Sequence, residues 1–300
     1  MTTYHTPVLL CESIKGLNIQ PGGVYVDVTF GGGGHSREIL NHLKGGKLVA
    51  FDQDPDAMNN KIDHPGFILC NGNFKFLKNF LKYHGITHIN GLLADLGVSS
   101  HHFDTVERGF TFQGDSLLDM RMNPLASITA SEILNQYSGD QLRHIFKDYG
   151  EVENAHRLAS VIVSRREAHP FSGSEQFIEA IKTCIPRGNE NKYLAKVYQA
   201  LRIEVNRELE SLKSMLTQCN EVMLAGGRLV IITYHSLEDR IVKNFIKTGN
   251  FEGNAEKDFY GNVTAPFKAV NNKVIVATEE EVKSNNRARS AKLRIAEKVK

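Results

Sequence analysis

Four consecutive glycines, Gly31, Gly32, Gly33 and Gly34, follow the apolar run Val24-Tyr25-Val26-Asp27-Val28 and precede His35-Ser36. A glycine-rich turn after a strand lets backbone approach a ligand closely and aims the amino end of the next helix at it. Glycine within regular elements costs about 0.5–1 kcal/mol relative to alanine, so four together favour close approach over a merely flexible turn. A second apolar run, Leu48-Val49-Ala50-Phe51, closes on Asp52. That is about 20 residues beyond the loop, where a carboxylate meets ribose hydroxyls in nucleotide-binding sheets. Two later runs end on Asn73-Phe74 and on Asp95. Phe74 is placed either to stack on a base ring or to pack in the core, and Asp95 faces a ligand or a reacting group.

The glycine loop alone fits NAD, ATP or S-adenosylmethionine. The dinucleotide fingerprint G-x-G-x-x-G fails, because its third glycine is Ser36 counted from Gly31 and Arg37 counted from Gly32. The phosphate-binding P-loop fails as well, since Gly46-Lys47 is followed by Leu48 and leads into a strand. Both absences remove pyrophosphate and triphosphate ligands and turn the reading toward S-adenosylmethionine.

The elements that must position these residues follow from periodicity. Four short apolar runs in the first hundred residues alternate with helix-capable segments at 36–43 and 74–83, which predicts a parallel sheet with helices on both faces. A fifth such run, Leu229-Val230-Ile231-Ile232-Thr233-Tyr234, arrives only after a long gap. Within the gap Leu142, Ile145, Phe146 and Tyr149 form one helical stripe, and a stripe from Leu194 to Leu216 predicts one long final helix. Thr129-Ala130-Ser131-Glu132, Ser172-Gly173-Ser174-Glu175 and Ser236-Leu237-Glu238-Asp239 have capping-box form. Residues 273–278 and 290–297 are candidates for closing strands, and 248–266 reads as a loop. The fold class is therefore α/β: a doubly wound, Rossmann-like sheet with an inserted all-helical domain, the class I methyltransferase sheet if the ligand is S-adenosylmethionine. The sheet domain takes 1–104 and 207–300, and the insertion takes 105–206.

The chain has 300 residues, 41% hydrophobic and 23% charged, with a formal net charge of +2. Such a balance is common to enzymes of every kind, so only local clustering bears on a partner. Basic residues do cluster, at Lys283, Arg287, Arg289, Lys292, Arg294, Lys298 and Lys300, against Glu297. The insertion adds Arg157, Arg165, Arg166, Arg187, Lys192, Lys196 and Arg202. Groups of this kind bind phosphates. Cys11, Cys70, Cys184 and Cys219 form no C-x-x-C pair, so neither a metal site nor a redox dithiol is expected, and Cys70 and Cys219 read as buried thiols. The first ten residues lack the form of a signal peptide, and no run reaches the ~18 apolar residues of a membrane span. A cytoplasmic protein with no membrane association is expected.

The longer motifs resemble one family, the bacterial 16S rRNA (cytosine-N4)-methyltransferases of the RsmH or MraW type. The stretches that carry the resemblance begin with His5-Thr6-Pro7-Val8-Leu9-Leu10, the 29–36 glycine loop and Phe51-Asp52-Gln53-Asp54-Pro55. They continue through Leu93-Ala94-Asp95-Leu96-Gly97-Val98-Ser99-Ser100, Glu107-Arg108-Gly109-Phe110, Leu118-Asp119-Met120-Arg121-Met122 and Tyr149-Gly150-Glu151. The last are Ala200-Leu201-Arg202-Ile203-Glu204-Val205-Asn206, Tyr234-His235-Ser236-Leu237-Glu238-Asp239-Arg240 and Arg287-Ala288-Arg289-Ser290-Ala291-Lys292-Leu293-Arg294. By that resemblance Gly33, Gly34, His35, Asp52, Phe74 and Asp95 contact S-adenosylmethionine. His102 stands where the family's next contact is typically a glutamine. Other departures are Gly32 for a common arginine, Ser116-Leu117 for Gly-Pro, and Asn286 for a frequent proline.

The resemblance implies N4-methylation of a cytidine in the decoding region of 16S rRNA in the small ribosomal subunit, with the helical insertion recognising the substrate. Many amino-methyltransferases carry an Asp/Asn/Ser-Pro-Pro-aromatic motif after the fourth strand, whereas this chain reads Asp95-Leu96-Gly97-Val98. Their base contacts therefore do not transfer. The residues to weigh as catalytic are Asp119, with Arg121, and His235. Asp119 and Arg121 read equally as a structural ion pair, and His235 as a helix cap. Two rival readings are an S-adenosylmethionine-binding RNA protein without catalysis, and a methyltransferase for a small molecule or protein.

Overall fold

The computed structural model of the chain describes residues 7–99, 105–261, 263–271 and 273–299. It divides into two compact units, 1–97 with 209–300, and 98–208.

The first unit is built on a sheet with strand order β3-β2-β1-β4-β5-β8-β6. The strands are β1 (Val24–Asp27), β2 (Lys47–Asp52), β3 (Phe67–Asn71), β4 (Ile89–Asp95), β5 (Met223–Thr233), β6 (Phe267–Ala269), β7 (Ile275–Val276) and β8 (Lys292–Lys298). β1 to β5 run parallel, while β8 is antiparallel to β5 and takes β6 and β7 on its other side. β8 overlaps the expected 290–297 segment and runs one residue past it, and β7 lies within 273–278. β6 carries no sequence signal, because three residues are too few to show a period.

Alternation along the strands sends side chains to two cores. Leu92, Ala94, Leu229 and Ile231 face one, packed under α3 (Leu77–Tyr83), α9 (Glu208–Val222) and α10 (Ser236–Thr248). Leu48, Ala50, Leu93 and Val230 face the other, under α1 (Leu10–Leu17) and α2 (Gly34–His42). A sheet covered on both faces explains why its strands read as continuous apolar runs. Strand order reverses between β1 and β4, so the crevice at their carboxyl ends is the place where open sheets of this kind bind ligands. Cys70 and Cys219 are buried free thiols, as their apolar neighbours imply.

The second unit is helical: α4 (Ala130–Gln136), α5 (Gly139–Asp148), α6 (Ala155–Arg166), α7 (Ser174–Ile181) and α8 (Glu190–Asn206). Its core gathers Leu142, Ile145, Phe146, Phe177, Val197 and Leu201. Thr129 caps α4 in a reciprocal box with Glu132, as expected. The other two expected boxes do not form. α7 starts from Gly173 without a side-chain cap, because the Ser174 hydroxyl is taken by the neighbouring loop, donating to the Gly114 carbonyl and accepting from the Ser116 amide. α10 is capped one residue earlier than expected, by His235.

The single long helix expected from Leu194 to Leu216 is two helices. Arg207 adopts a left-handed φ of 50° between α8 and α9. An apolar stripe keeps its spacing across such a one-residue break, so periodicity cannot reveal it. Arg202 and Glu208 clamp the break with a two-pronged ion pair at 2.8 and 2.9 Å. Arg207 itself pairs with Glu204 at 3.0 Å. α11 (Glu279–Ser284) completes the helices of the first unit.

Phe51 precedes Asp52 on β2, is fully buried and meets Phe80 edge-on at 5.4 Å. Phe51→Ala is expected to lower unfolding free energy by about 3–5 kcal/mol, read as a fall in the urea midpoint of the isolated chain.

Candidate active site

The turn after β1 is organised by Asp27, which is 1% exposed at the strand's end. Its carboxylate accepts from the Thr29 amide at 3.1 Å, the Thr29 hydroxyl at 3.4 Å and the Ser36 hydroxyl at 2.6 Å. Burial is the main influence on Asp27 and raises its pKa, with the hydrogen bonds from Ser36 and Thr29 opposing. Thr29 Oγ1 also accepts the Asp95 amide at 2.7 Å, which joins the end of β4 to the loop. Neither Thr29 nor Ser36 stands out in the sequence as a functional residue, since a hydroxyl in a loop carries no distinguishing pattern.

The glycines divide by what surrounds them. A Cβ on Gly33, at φ 75°, would lie 2.8 Å from the Phe30 ring, and one on Gly34 would collide with the Pro7 ring. Those two positions are small because the protein packs on them. Gly31, at φ 48°, has open space where a Cβ would stand. Its amide donates to Asp52 Oδ2 at 2.8 Å, and Asp52 Oδ1 accepts the Asp54 amide at 2.9 Å. These two bonds orient the Asp52 carboxylate.

His35, in the first turn of α2, has its ring buried under the loop. Nε2 lies 3.1 Å from the Val8 carbonyl and Nδ1 3.9 Å from Asp95 Oδ2. Burial lowers the His35 pKa, with Asp95 and the Val8 carbonyl opposing, and Nε2 donates to that carbonyl. The backbone amides of this first helical turn point out of the amino end of α2, where an anionic group is favoured. Phe74 starts a 3-10 turn capped by Asn73, is half-buried and packs against the first core. Asn73 Nδ2 donates to Gln53 Oε1 at 2.8 Å. His102 lies outside the described residues.

Asp95 closes the crevice. Tyr234, at the end of β5, donates its hydroxyl to Asp95 Oδ1 at 2.7 Å. The Asp95 side chain is 23% exposed yet flanked by protein, and burial pushes its pKa up to about 6. His35 and the Tyr234 hydrogen bond pull it down, and Asp27 and Glu238 add to the rise. Tyr234 stands in a quoted motif, but the sequence shows no reason to pair it with a residue 139 positions away.

The two residues weighed as catalytic occupy structural positions. Asp119 belongs to the second unit, where its two oxygens accept Arg121 Nε and Nη2 at 2.9 and 2.7 Å. Burial would raise its pKa, but the hydrogen bonds and charge of Arg121 outweigh that and hold the carboxyl below its ordinary range. His235 caps α10: its ring accepts the Glu238 amide at 3.5 Å, and Nε2 lies 3.2 Å from Glu238 Oε1.

Residues 2–299 match the MraW methylase family. The chain belongs to that family. Over 297 residues it is 58% identical to the ribosomal RNA small subunit methyltransferase H of Bacteroides thetaiotaomicron, covering 99% of this chain and 98% of the relative. The proteins of the same name from Cytophaga hutchinsonii and Flavobacterium johnsoniae are 56% and 54% identical. Those matches cover 98% and 100% of this chain, and 99% and 100% of the relatives.

For a member of the MraW family the crevice fits S-adenosylmethionine on its own chemistry. Asp52 suits the ribose hydroxyls, the open side of Gly31 admits close approach, and the α2 amides suit the methionine carboxylate. The negative charge of Asp52 and Asp95 complements a sulfonium and an ammonium group.

Folding favours the protonated form of Asp95, so its contribution to stability is complete below pH 3.8 and is lost as pH rises through about 6. Asp95→Asn keeps an acceptor for Tyr234 and removes that loss. It is expected to raise the melting temperature of the cofactor-free protein at pH 8, with a smaller gain at pH 5. Equal shifts at both pH values would contradict the assignment.

Proposed function

We propose that this chain transfers the methyl group of S-adenosylmethionine to the exocyclic N4 of a cytidine in the decoding region of small-subunit rRNA, in the cytoplasm. The observation that carries the reading is the convergence of Asp52, the Gly31 turn and Asp95 at the switch point of a sheet in an MraW-family chain. The names of the relatives supply the rRNA substrate, and the resemblance to RsmH supplies N4 of cytidine.

S-adenosylmethionine supplies an electrophilic methyl carbon on its sulfonium. Asp52 would hold the ribose, the amides of Gly34 and His35 would receive the carboxylate, and Phe74 would flank the adenine. Positioning of reactants can supply up to about 7–11 kcal/mol of a barrier. Asp95 accepts the N4 amine through Oδ2, because Oδ1 is held by Tyr234. The cytosine amine is a poor nucleophile, and an acceptor beside it both favours a pyramidal nitrogen and takes its proton. A carboxyl titrating near 6 is ionised at neutral pH, so kcat is expected to rise through about pH 6. Asp119 then serves the turn at Met120 through its ion pair with Arg121, and His235 serves the start of α10.

The 98–208 unit is the candidate RNA-recognition domain. Arg166 and Arg202 are turned inward, onto the Leu134 and Tyr137 carbonyls and onto Glu208. Arg157, Arg165, Arg187 and Lys192 are exposed and are the residues we assign to phosphate contact. Among the described residues no helix is long and apolar enough to cross a membrane.

Mass spectrometry of rRNA nucleosides tests the reading. Deleting the gene is expected to remove an N4-methylated cytidine, restored by the wild-type chain and not by Asp52→Ala. Persistence of that nucleoside in the deletion strain would overturn the proposal. In a titration, Asp52→Ala is expected to weaken S-adenosylmethionine binding roughly 10- to 100-fold, the scale of losing charge-assisted hydrogen bonds.

A further inference from the structure

Behind Tyr234 the first unit holds a second concavity of about 210 Å³, lined by Tyr234, His235, Ser236, Arg289, Ser290 and Lys292. A single water needs roughly 10–15 Å³, so the space admits a polyatomic group. We propose that this cleft is a phosphodiester subsite, holding a backbone phosphate of the RNA strand beside the target nucleotide. The proposal rests on the rRNA reading above.

The lining has the chemistry of an anion site. Arg289 is exposed and has no hydrogen bond or ion pair among the described residues. Lys292 enters from the first position of β8 and shares Asp239 at 3.8 Å with Arg294, which already holds both Asp239 oxygens at 2.7 and 3.1 Å. Ser236 opens α10, a helix of 13 residues whose amino end is electropositive. His235 contributes a side chain only 8% exposed, whose Nε2 makes no hydrogen bond among the described residues although Glu238 Oε1 is 3.2 Å away.

Three carboxylates near the cleft have partners among the described residues. Glu238 Oε2 accepts the Tyr234 amide at 3.0 Å, Glu281 accepts the Leu9 amide at 2.7 Å, and Asp239 is neutralised by Arg294. The balance at the cleft mouth is therefore set by Arg289 and Lys292.

Tyr234 ties the cleft to the reaction. One wall of the cleft is the ring whose hydroxyl donates to Asp95. A phosphate held by Arg289 and Lys292 sits one tyrosine away from the carboxylate assigned to N4. Phosphate contacts fix register without reading sequence, and that is the task a base-presenting enzyme needs done next to its pocket.

Methylation of small-subunit particles by wild type, Arg289→Ala, Arg289→Lys and Lys292→Ala, followed over a range of KCl concentrations, tests this. Arg289→Ala is expected to raise KM for the particle about tenfold and to flatten the slope of log KM against log salt by about 1. S-adenosylmethionine affinity stays unchanged, and Arg289→Lys restores the slope. Unchanged KM and slope in Arg289→Ala, with an active wild type, would overturn the subsite and leave the rRNA reading standing. A matching loss of S-adenosylmethionine affinity would overturn it too, as a structural effect. Weakened binding of inorganic phosphate with an unchanged particle KM would assign the cleft to a free phosphate instead. A wild type that methylates no small-subunit rRNA would overturn both readings.

Discussion

The buried carboxylate of Asp27 is the constraint on which the rest of the site depends. Taking a carboxylate out of water is expensive unless hydrogen bonds replace the lost hydration. Here the replacements come from Thr29 and Ser36, one in the turn and one in the first turn of α2. Satisfying Asp27 therefore dictates the path of the chain between β1 and α2. Thr29 then passes the constraint on by accepting the Asp95 amide. The ends of two strands far apart in sequence and the start of a helix share one hydrogen-bonded chain.

That chain settles which groups are architecture and which are left for chemistry. Asp27 is consumed by the fold. Asp52 is oriented by two backbone amides, one of them from Gly31, so the loop and the carboxylate proposed for the ribose are a single construction. Asp95 is held at one oxygen by Tyr234, and burial outweighs that hydrogen bond to bring its pKa toward neutrality. A carboxylate so placed is ionised in the cell at modest cost and stays able to take a proton.

The same logic runs through the second unit with the opposite outcome. Met120 is buried at a left-handed φ of 61°, a conformation unfavourable for a side chain of its kind. It is held there from several directions: its amide donates to the Arg108 carbonyl and its carbonyl accepts Asn206 Nδ2. Asp119 and Arg121 on either side lock to one another across this turn, and Arg108 caps the Arg121 and Met122 carbonyls. A motif dense in charged residues reads as chemistry in a linear sequence, yet here its charges rigidify a strained turn. His235 is a parallel case, since its ring holds the first turn of α10.

The sequence by itself determined the class of the fold, the helical interruption of the sheet and the glycine turn after the first strand. Strand runs, glycines and a strand-end carboxylate are local signals, written within a few residues of where they act. It also located Asp52 and Asp95, because open parallel sheets put ligands at strand ends whatever their composition. Only the tertiary structure decided what depends on distance in sequence. It broke the 194–216 stripe at Arg207, gave Gly33 and Gly34 a packing reason in Phe30 and Pro7, and withdrew Asp119 into an ion pair. It also brought Tyr234 to Asp95 across 139 positions. The physical reason is the same in each case. Periodicity records which face a residue presents, whereas hydrogen bonds and ion pairs form between whichever groups folding leaves within 3 Å or so of one another.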